Sequence, residues 1–555
     1  MQETPTEKLE DEIDPLLEDE RSELDAASIG ASAAIISICT ILSRITGFVR
    51  TWSMAFALGA TFLSSSYQIA NNLPNMLYEL VMGGMLTTAF LPVYLSLKKQ
   101  SRKRSEQYAS NLMTLVVIAL GILSAACMVF PAQIVFTQSF YSDQSTMGAA
   151  TLLFQFFAIQ LVFYGASSIL SGILNANRDY IWGAIAPVFN NIIVISAFIA
   201  YAFIAPSNET AALYVIAVGS PLGVFVQMAI QIPGLRRNGI KLRPMLDFKD
   251  PALRETASIG LPALFTTICG FVTVSVANAA SYGFADNGPS VIAYSRLWFT
   301  FPYSFLAIPI ATTMFTELSS MMADKDIKGV SKGIISGSSQ IFFLMIPFAM
   351  YLIVYSVPLV SLYRIGAFSE DAISEIALYL SVMAVSLPFY GVNTLLQMAF
   401  SSIRRMFAFS MLTFVASLLQ VGIMVFAASA YESGIPTNLE WVAAATVVCY
   451  LVADIIAFAY LKRRFSTDYI SISPMLIACL RAFLLGIIGA AAGGTVYYVL
   501  DSFLLSSYGN VILSLLYILV CGCISLAVTF IPAIMRDYPE ASFVSGLWRR
   551  IARRR

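Results

Sequence analysis

Long apolar runs dominate this chain, and its polar residues gather in the short gaps between them. Stretches of about 20 apolar residues, enough for a helix to cross a bilayer, recur fourteen times. They fall near 27–50, 62–97, 106–132, 148–174, 181–205, 210–234, 256–284, 289–320, 333–360, 372–402, 406–430, 440–461, 474–499 and 509–534. The pattern predicts an all-α integral membrane protein of about fourteen transmembrane helices. The second and eighth runs are too long for one straight crossing. They contain Pro74 and Pro302, so each is expected to break, tilt or extend beyond the bilayer.

Composition agrees with that class. Hydrophobic residues make up 58% and charged residues 12%, and the mean hydropathy of +0.76 is far from that of a soluble domain. The distribution of basic residues then orients the spans. With the N-terminus inside, Lys and Arg number 2, 5, 1, 6, 3, 2, 3 and 6 in successive cytoplasmic segments, which is 28 of the 33. The extracytoplasmic loops hold only Arg364, and the other four lie within spans. The positive-inside rule therefore predicts an even number of spans and both termini in the cytoplasm.

Residues 1–25 carry eleven acids against Lys8 and Arg21, which reads as a disordered acidic cytoplasmic tail and not as a signal peptide. Residues 536–555 form a basic tail ending in Arg549, Arg550, Arg553, Arg554 and Arg555, suited to an anionic inner leaflet. The seven cysteines all fall in apolar spans and read as small buried hydrophobes, not as disulfides or metal ligands. There is no histidine, which removes His-based catalysis, metal sites and proton relays. Neither a Walker A sequence nor a nucleotide-sized soluble domain is present, so ATP hydrolysis and nucleic-acid binding are not expected.

An internal repeat divides the chain. Ala27-Ser28-Ile29-Gly30 recurs as Ala257-Ser258-Ile259-Gly260, and Ile38-Cys39 as Ile268-Cys269, both at an offset of 230. Thr87-Thr88-Ala89-Phe90 resembles Thr312-Thr313-Met314-Phe315, and Pro74 has its counterpart in Pro302. An even number of spans separates the copies, so they share one orientation. The expected architecture is two parallel six-helix lobes, residues 26–235 and 250–465, with a site between them and an appended helix pair at 470–535.

Four arginines lie inside these spans: Arg44, Arg50, Arg296 and Arg481. An ionised Arg at the centre of an isolated membrane helix costs about 3 kcal/mol on insertion scales. Keeping several points to an internal cavity and an anionic ligand, whose phosphate oxygens the guanidinium fork suits. Six residues on a helix advance about 9 Å and turn side chains roughly 120° apart, so Arg44 and Arg50 cannot form one clamp. Gly47 between them allows bending or close packing. The competing reading is interhelical ion pairing with Glu79 or Asp454, acids that could instead couple a cation. Arg481 is only seven residues into its span and is expected to snorkel to the interface and be dispensable. Gly83-Gly84 and the Gly489…Gly493 spacing read as close helix packing, the former also as a hinge.

At these residues the chain resembles a known family. Ser43-Arg44-Ile45-Thr46-Gly47-Phe48-Val49-Arg50, Asn72-Leu73-Pro74-Asn75, Gly84 and Ala89-Phe90-Leu91-Pro92 are similar to the MurJ/MviN family of lipid II flippases. Tyr294-Ser295-Arg296-Leu297, Phe301-Pro302 and Ile310-Ala311-Thr312 resemble that family's eighth span. The resemblance implies transfer of undecaprenyl-diphosphate-linked disaccharide-pentapeptide across the bacterial plasma membrane for cell-wall synthesis, by alternating access and without bond chemistry. It implies that Arg44, Arg50 and Arg296 meet the diphosphate in a central cavity, and that the isoprenoid tail lies in a groove lined by the terminal pair.

Departures from the family pattern are Thr51, Tyr78, Gly83 and Ser65, where Asp, Arg, Glu and an acid are usual; this version looks like the actinobacterial branch. No cofactor or metal is expected. The drive is a coupling cation or the membrane potential, with the potential favoured. The expected partners are lipid II, membrane lipids and cell-wall synthesis proteins. Rival readings are a flippase for another polyprenyl-linked glycan, a multidrug exporter, and a non-transporting cell-wall scaffold.

Overall fold

The computed structural model describes residues 38–83, 90–465 and 471–541. The acidic tail, the first copy of the Ala-Ser-Ile-Gly repeat, Gly84, Thr87-Thr88-Ala89 and the terminal arginines 549–555 lie outside the described residues.

The first lobe begins with α1 (38–58) and α2 (Phe62–Tyr78), whose start is fixed by a capping box between Thr61 and Ser64. Pro74 lies inside α2, and the helix passes into a π-helical turn at Glu79–Gly83. Then follow α3 (Leu91–Gln100), α4 (Arg102–Val129), the short α5 (Pro131–Phe136), α6 (Gly148–Phe157), α7 (Gln160–Ala176), α8 (Tyr180–Ile204), α9 (Glu209–Ala229) and the short α10 (Ile232–Arg237). The second lobe comprises α11 (Pro251–Phe284), α12 (Gly288–Pro302), a second π-helical turn at Tyr303–Ala307, α13 (Ile308–Ala323), α14 (Ile327–Val354), α15 (Ser356–Ser361), α16 (Asp371–Ala384), α17 (Leu387–Ser402), α18 (Met406–Glu432) and α19 (Glu440–Phe465). The appended pair is α20 (Ser473–Val499) and α21 (Val511–Met535).

Eleven of these helical stretches are long and apolar enough to cross a membrane, and twelve if the bent pair α16–α17 counts as one span. They coincide with spans three to fourteen of the sequence pattern. The expected count of about fourteen is therefore not reached among the described residues. The first two runs are interrupted by undescribed residues, and the count of fourteen is left as an expectation.

The two lobes repeat each other in detail. A π-helical turn interrupts α2–α3 at Glu79–Gly83 and α12–α13 at Tyr303–Ala307, an offset of 224. The fourth span of each lobe also breaks at matching places, between α6 and α7 and between α16 and α17, where the bend is 47°. Each of these fourth spans ends in a left-handed arginine, Arg178 (φ 60°) and Arg404 (φ 56°). Ile38 and Ile268 are both exposed, and Cys39 and Cys269 both buried, as the 230-residue offset requires. Proline accounts for part of the pattern: Pro302 at the end of α12 removes a helix hydrogen bond, and Pro388 in the first turn of α17 keeps α16 from continuing as one regular helix.

The lobes meet at the end of the bundle where α1 finishes and α2 and α12 begin. Trp52 Nε1 donates to the Leu362 carbonyl (3.0 Å), the Ala367 N–H to the Phe56 carbonyl (2.9 Å) and the Tyr294 hydroxyl to the Gly59 carbonyl (2.8 Å). Asn278 Nδ2 donates to Gln138 Oε1 (2.7 Å) nearby. Gly59 and Gly366, at φ +64° and +69°, fit here because a Cβ on either would run into the opposing backbone of Ala367 or Phe56. This end is sealed.

At the opposite end, the connection between lobes lies along α4. Its backbone N–H groups at Arg243, Met245 and Asp247 bond Ser110, Thr114 and Asn111, alternate residues of an extended segment meeting successive turns of a helix. Arg104 holds the buried Asp250 at 2.6 Å, and Asp250 in turn caps α11.

The appended pair attaches to α14. Tyr351 and Tyr355 hydroxyls bond Thr529 Oγ1 (2.6 Å) and Ser525 Oγ (2.8 Å) on α21, passing Gly489 and Gly493 of α20, where any side chain would displace those hydroxyls. The Gly489…Gly493 spacing is thus a packing surface. Arg481 has a partner that its place in the sequence did not reveal. It pairs with the buried Glu540 at 3.2 Å and stacks on Tyr538, 4.5 Å from the ring centroid, because the chain after α21 folds back over it. Five cysteines are buried, but Cys479 is only partly so and Cys523 is exposed on α21.

Candidate functional site

The faces of α1 determine where its arginines point. Ile38, Ile41, Leu42, Ile45 and Val49 are exposed and form one apolar stripe. Phe48 lies on another face and packs edge-on against Trp298 of the second lobe, with centroids 5.4 Å apart. Arg44 sits one turn before Phe48 on that same face, toward the second lobe. Arg50 turns the other way. Met54, one turn on, lies on the face of Arg50 and contacts Gln68 of α2 inside the first lobe. The two arginines thus address opposite lobes, as their six-residue spacing requires. Gly47 faces α8, with the Asn191 amide 3.8 Å from where its Cβ would be, and Asn191 Nδ2 donates to Thr46 Oγ1 (3.0 Å). Gly47 serves close packing in an unbroken helix.

Arg296 projects from α12 between anchored neighbours. Tyr294 is tied to Gly59, and Ser295 donates to the Ile376 carbonyl (3.3 Å). Arg296 itself is exposed, and Phe299, one turn on, packs against Tyr390 of α17 with centroids 5.6 Å apart.

Among the described residues four salt bridges form, and none includes Arg44, Arg50 or Arg296. The acids held open as their partners are engaged elsewhere. Glu79 is exposed at the start of the first π turn and accepts from Asn75 Nδ2 (3.2 Å). Asp454 is buried in α19, and its Oδ1 accepts from Asn393 Nδ2 (3.1 Å). Among the described residues these three guanidinium groups therefore keep their donors uncommitted, an arrangement suited to a multiply charged anion between the lobes. Pro74 and Pro302 lie just before the two π turns, Gly83 ends the first of them, and π turns often mark functional positions. Among the described residues no group of three or more acids or cysteines could hold a metal ion.

Sequence reasoning missed a row of aromatic rings beside the arginines. Tyr303 lies 4.4 Å from Tyr390, and Tyr390 4.9 Å from Tyr450, centroid to centroid. Hydropathy counts tyrosine with the apolar residues, and spans eight, ten and twelve each contribute one, so no local pattern draws attention to them.

A family model described as lipid II flippase MurJ matches residues 54–519. A lipid II flippase MurJ of Burkholderia cenocepacia is 25% identical over 360 residues, covering 63% of this chain and 69% of that protein. A probable lipid II flippase MurJ of Borreliella burgdorferi is 22% identical over 450 residues, covering 80% and 86%. Among solved structures, a lipid II flippase MurJ in an inward closed conformation superposes with a TM-score of 0.71 at 20% identity, covering 91% of this chain and 99% of that one. An inward-facing multidrug resistance MATE transporter of the MOP superfamily gives 0.63 at 14% identity, covering 76% and 95%. At those identities the likeness concerns the fold.

Proposed function

Because the chain belongs to the MurJ family of lipid II flippases, we propose that it carries lipid II from the inner to the outer leaflet of a bacterial plasma membrane by alternating access. The observation that carries this reading is the set of three unpaired guanidinium groups, Arg44, Arg50 and Arg296, addressed to both lobes. A diphosphate needs several charge-assisted donors once it leaves water, and only binding across the boundary couples it to lobe rotation. The polyprenyl tail stays in lipid, and no bond is made or broken.

The basic-residue pattern places both termini in the cytoplasm. With that orientation the end where the lobes interlock faces outward. Arg44 and Arg296 then carry positive charge within the field of the membrane, where one charge crossing 100 mV is worth about 2.3 kcal/mol. The potential is the drive we favour over a cation gradient.

The test is the leaflet distribution of lipid II in cells depleted of the protein, read with an externally added enzyme that cleaves outward-facing lipid II. Loss of cleavage, restored by wild type and not by Arg296→Ala at equal membrane level, supports the flippase. Undiminished cleavage on depletion would overturn it.

A further inference from the structure

We propose that the acidic segment of residues 1–25 docks on a basic surface of the first lobe, built from the α3–α4 junction, the α7–α8 turn and α10. The inference stands independently of the flippase reading and concerns a surface outside the arginine site.

Three stretches distant in sequence are knitted together there. Lys98 Nζ donates to the Ala176 carbonyl (3.1 Å) and to Asn177 Oδ1 (2.7 Å). Arg102 Nη2 donates to the carbonyls of Asn238 and Gly239, both at 2.8 Å, and Asn238 Nδ2 donates to Asp179 Oδ2 at 2.9 Å. These bonds gather six further cations onto one surface: Lys99, Lys103, Arg178, Arg236, Arg237 and Lys241. All six are exposed, and among the described residues none joins a salt bridge. The surface holds two acids, Glu106, bound to Arg102 at 3.0 Å, and Asp179, which accepts from Asn238. Cations so crowded repel one another, and an anionic partner relieves that repulsion.

Residues 1–25 carry the opposite charge, eleven acids against Lys8 and Arg21. Their point of attachment brings them to this surface. α1 lies against α8, where Asn191 Nδ2 donates to Thr46 Oγ1 (3.0 Å) and to the Ser43 carbonyl (3.4 Å). Ile38 stands eight residues before Thr46, and Tyr180 eleven before Asn191. Those separations are about 12 Å and 16 Å of helical rise, so α1 and α8 start at nearly the same level. Tyr180 opens α8 directly after Arg178 and Asp179. The patch is therefore about one helix spacing, roughly 10 Å, from where α1 begins. Asp25 precedes Ile38 by thirteen residues, a reach of about 45 Å when extended. Every acid of the segment can come to the patch.

Exposed charge pairs are individually weak. A tether raises the effective concentration of the segment to the millimolar range, which lets several weak pairs act together. Attachment to the first lobe also favours this patch over the basic end of α19, Lys462-Arg463-Arg464.

The experiment joins carboxylates to lysines with a zero-length carbodiimide reagent, using the full chain in nanodiscs of zwitterionic lipid, and maps the links by mass spectrometry. Acids of residues 1–25 should link to Lys99, Lys103 and Lys241 at least about fivefold more often than to Lys325, Lys332 and Lys462 of the second lobe. Salt at about 1 M, where the screening length is about 3 Å, should abolish that preference. Arg178→Glu combined with Arg236→Glu and Arg237→Glu spares the linking lysines and should cut the links at least about fivefold. The salt comparison on wild type covers failure of that variant to fold. Links spread evenly over both lobes, or a preference indifferent to salt, would overturn the docking. Loss of the links when wild type is moved to nanodiscs of anionic lipid would assign the patch to the leaflet and overturn it equally.

Discussion

Tyr294 on α12 donates its hydroxyl to the carbonyl of Gly59 at 2.8 Å, joining the eighth span of one lobe to the end of the first span of the other. Its ring is fully buried against Tyr363 and Phe368, so Tyr294→Phe removes the bond and keeps the packing. The buried Gly59 carbonyl then lacks this donor, at a cost of about 1–3 kcal/mol. Hydrogen exchange at 59–66 and 362–368 should accelerate at least about fivefold. Unchanged exchange would show that the seal depends on other contacts.

Gly366 and Gly434 both have positive φ, but their surroundings differ. A Cβ at Gly366 collides with Phe56, while nothing lies within 4 Å of Gly434. Gly434→Ala should cost only the left-handed conformation, about 1–2 kcal/mol. Gly366→Ala should cost clearly more and lower thermal stability together with the protection of the sealed end. Equal melting temperatures for the two variants would contradict the interlock.

Arg481→Ala strands Glu540, whose side chain is only 8% exposed. The sequence argument expected this arginine to be dispensable; the pairing predicts a loss of about 1–3 kcal/mol. Adding Glu540→Gln should restore part of it, because a neutral amide is cheaper to bury than an unpaired carboxylate. Thermal unfolding of the two single variants and the double variant decides the matter, and purely additive losses would argue against coupling.

Alanine at Arg44, Arg50 or Arg296 should each reduce flipping in reconstituted vesicles at least about tenfold, a loss of 1.4 kcal/mol or more. Lysine should retain more activity at any of the three, since charge survives while the bidentate fork is lost. Full activity of the Arg296→Ala protein would exclude this arginine from the anion site.

Arg104→Ala deprives the buried Asp250 of its cationic partner, held at 2.6 Å. The connection between lobes should then loosen from α4. Proteolysis within 238–250 should rise while the sealed end stays protected. Resistance equal to wild type would mean that the Ser110, Asn111 and Thr114 bonds suffice.

Much of this molecule was legible in the sequence, for identifiable reasons. Spans three to fourteen follow from runs of apolar residues, which the bilayer imposes on any crossing helix. The repeat was visible in Ile38-Cys39 and Ile268-Cys269 because lipid-facing and core-facing positions must alternate in the same way in both copies. The π turns were not legible beyond an expected break, since a one-residue bulge leaves composition unchanged. The Arg481–Glu540 pair was hidden by 59 residues of separation. The stack of Tyr303, Tyr390 and Tyr450 was hidden because its members come from three spans and hydropathy counts them as apolar.

The attachment of α20 and α21 has a mechanical meaning. Tyr351 and Tyr355 bind this pair to α14, and its main contacts are with the second lobe. In the alternating-access cycle proposed above, these two helices would move with the second lobe, giving it a larger footprint in the bilayer and more viscous drag. The first lobe, meeting less resistance from the lipid, would then sweep the larger angle.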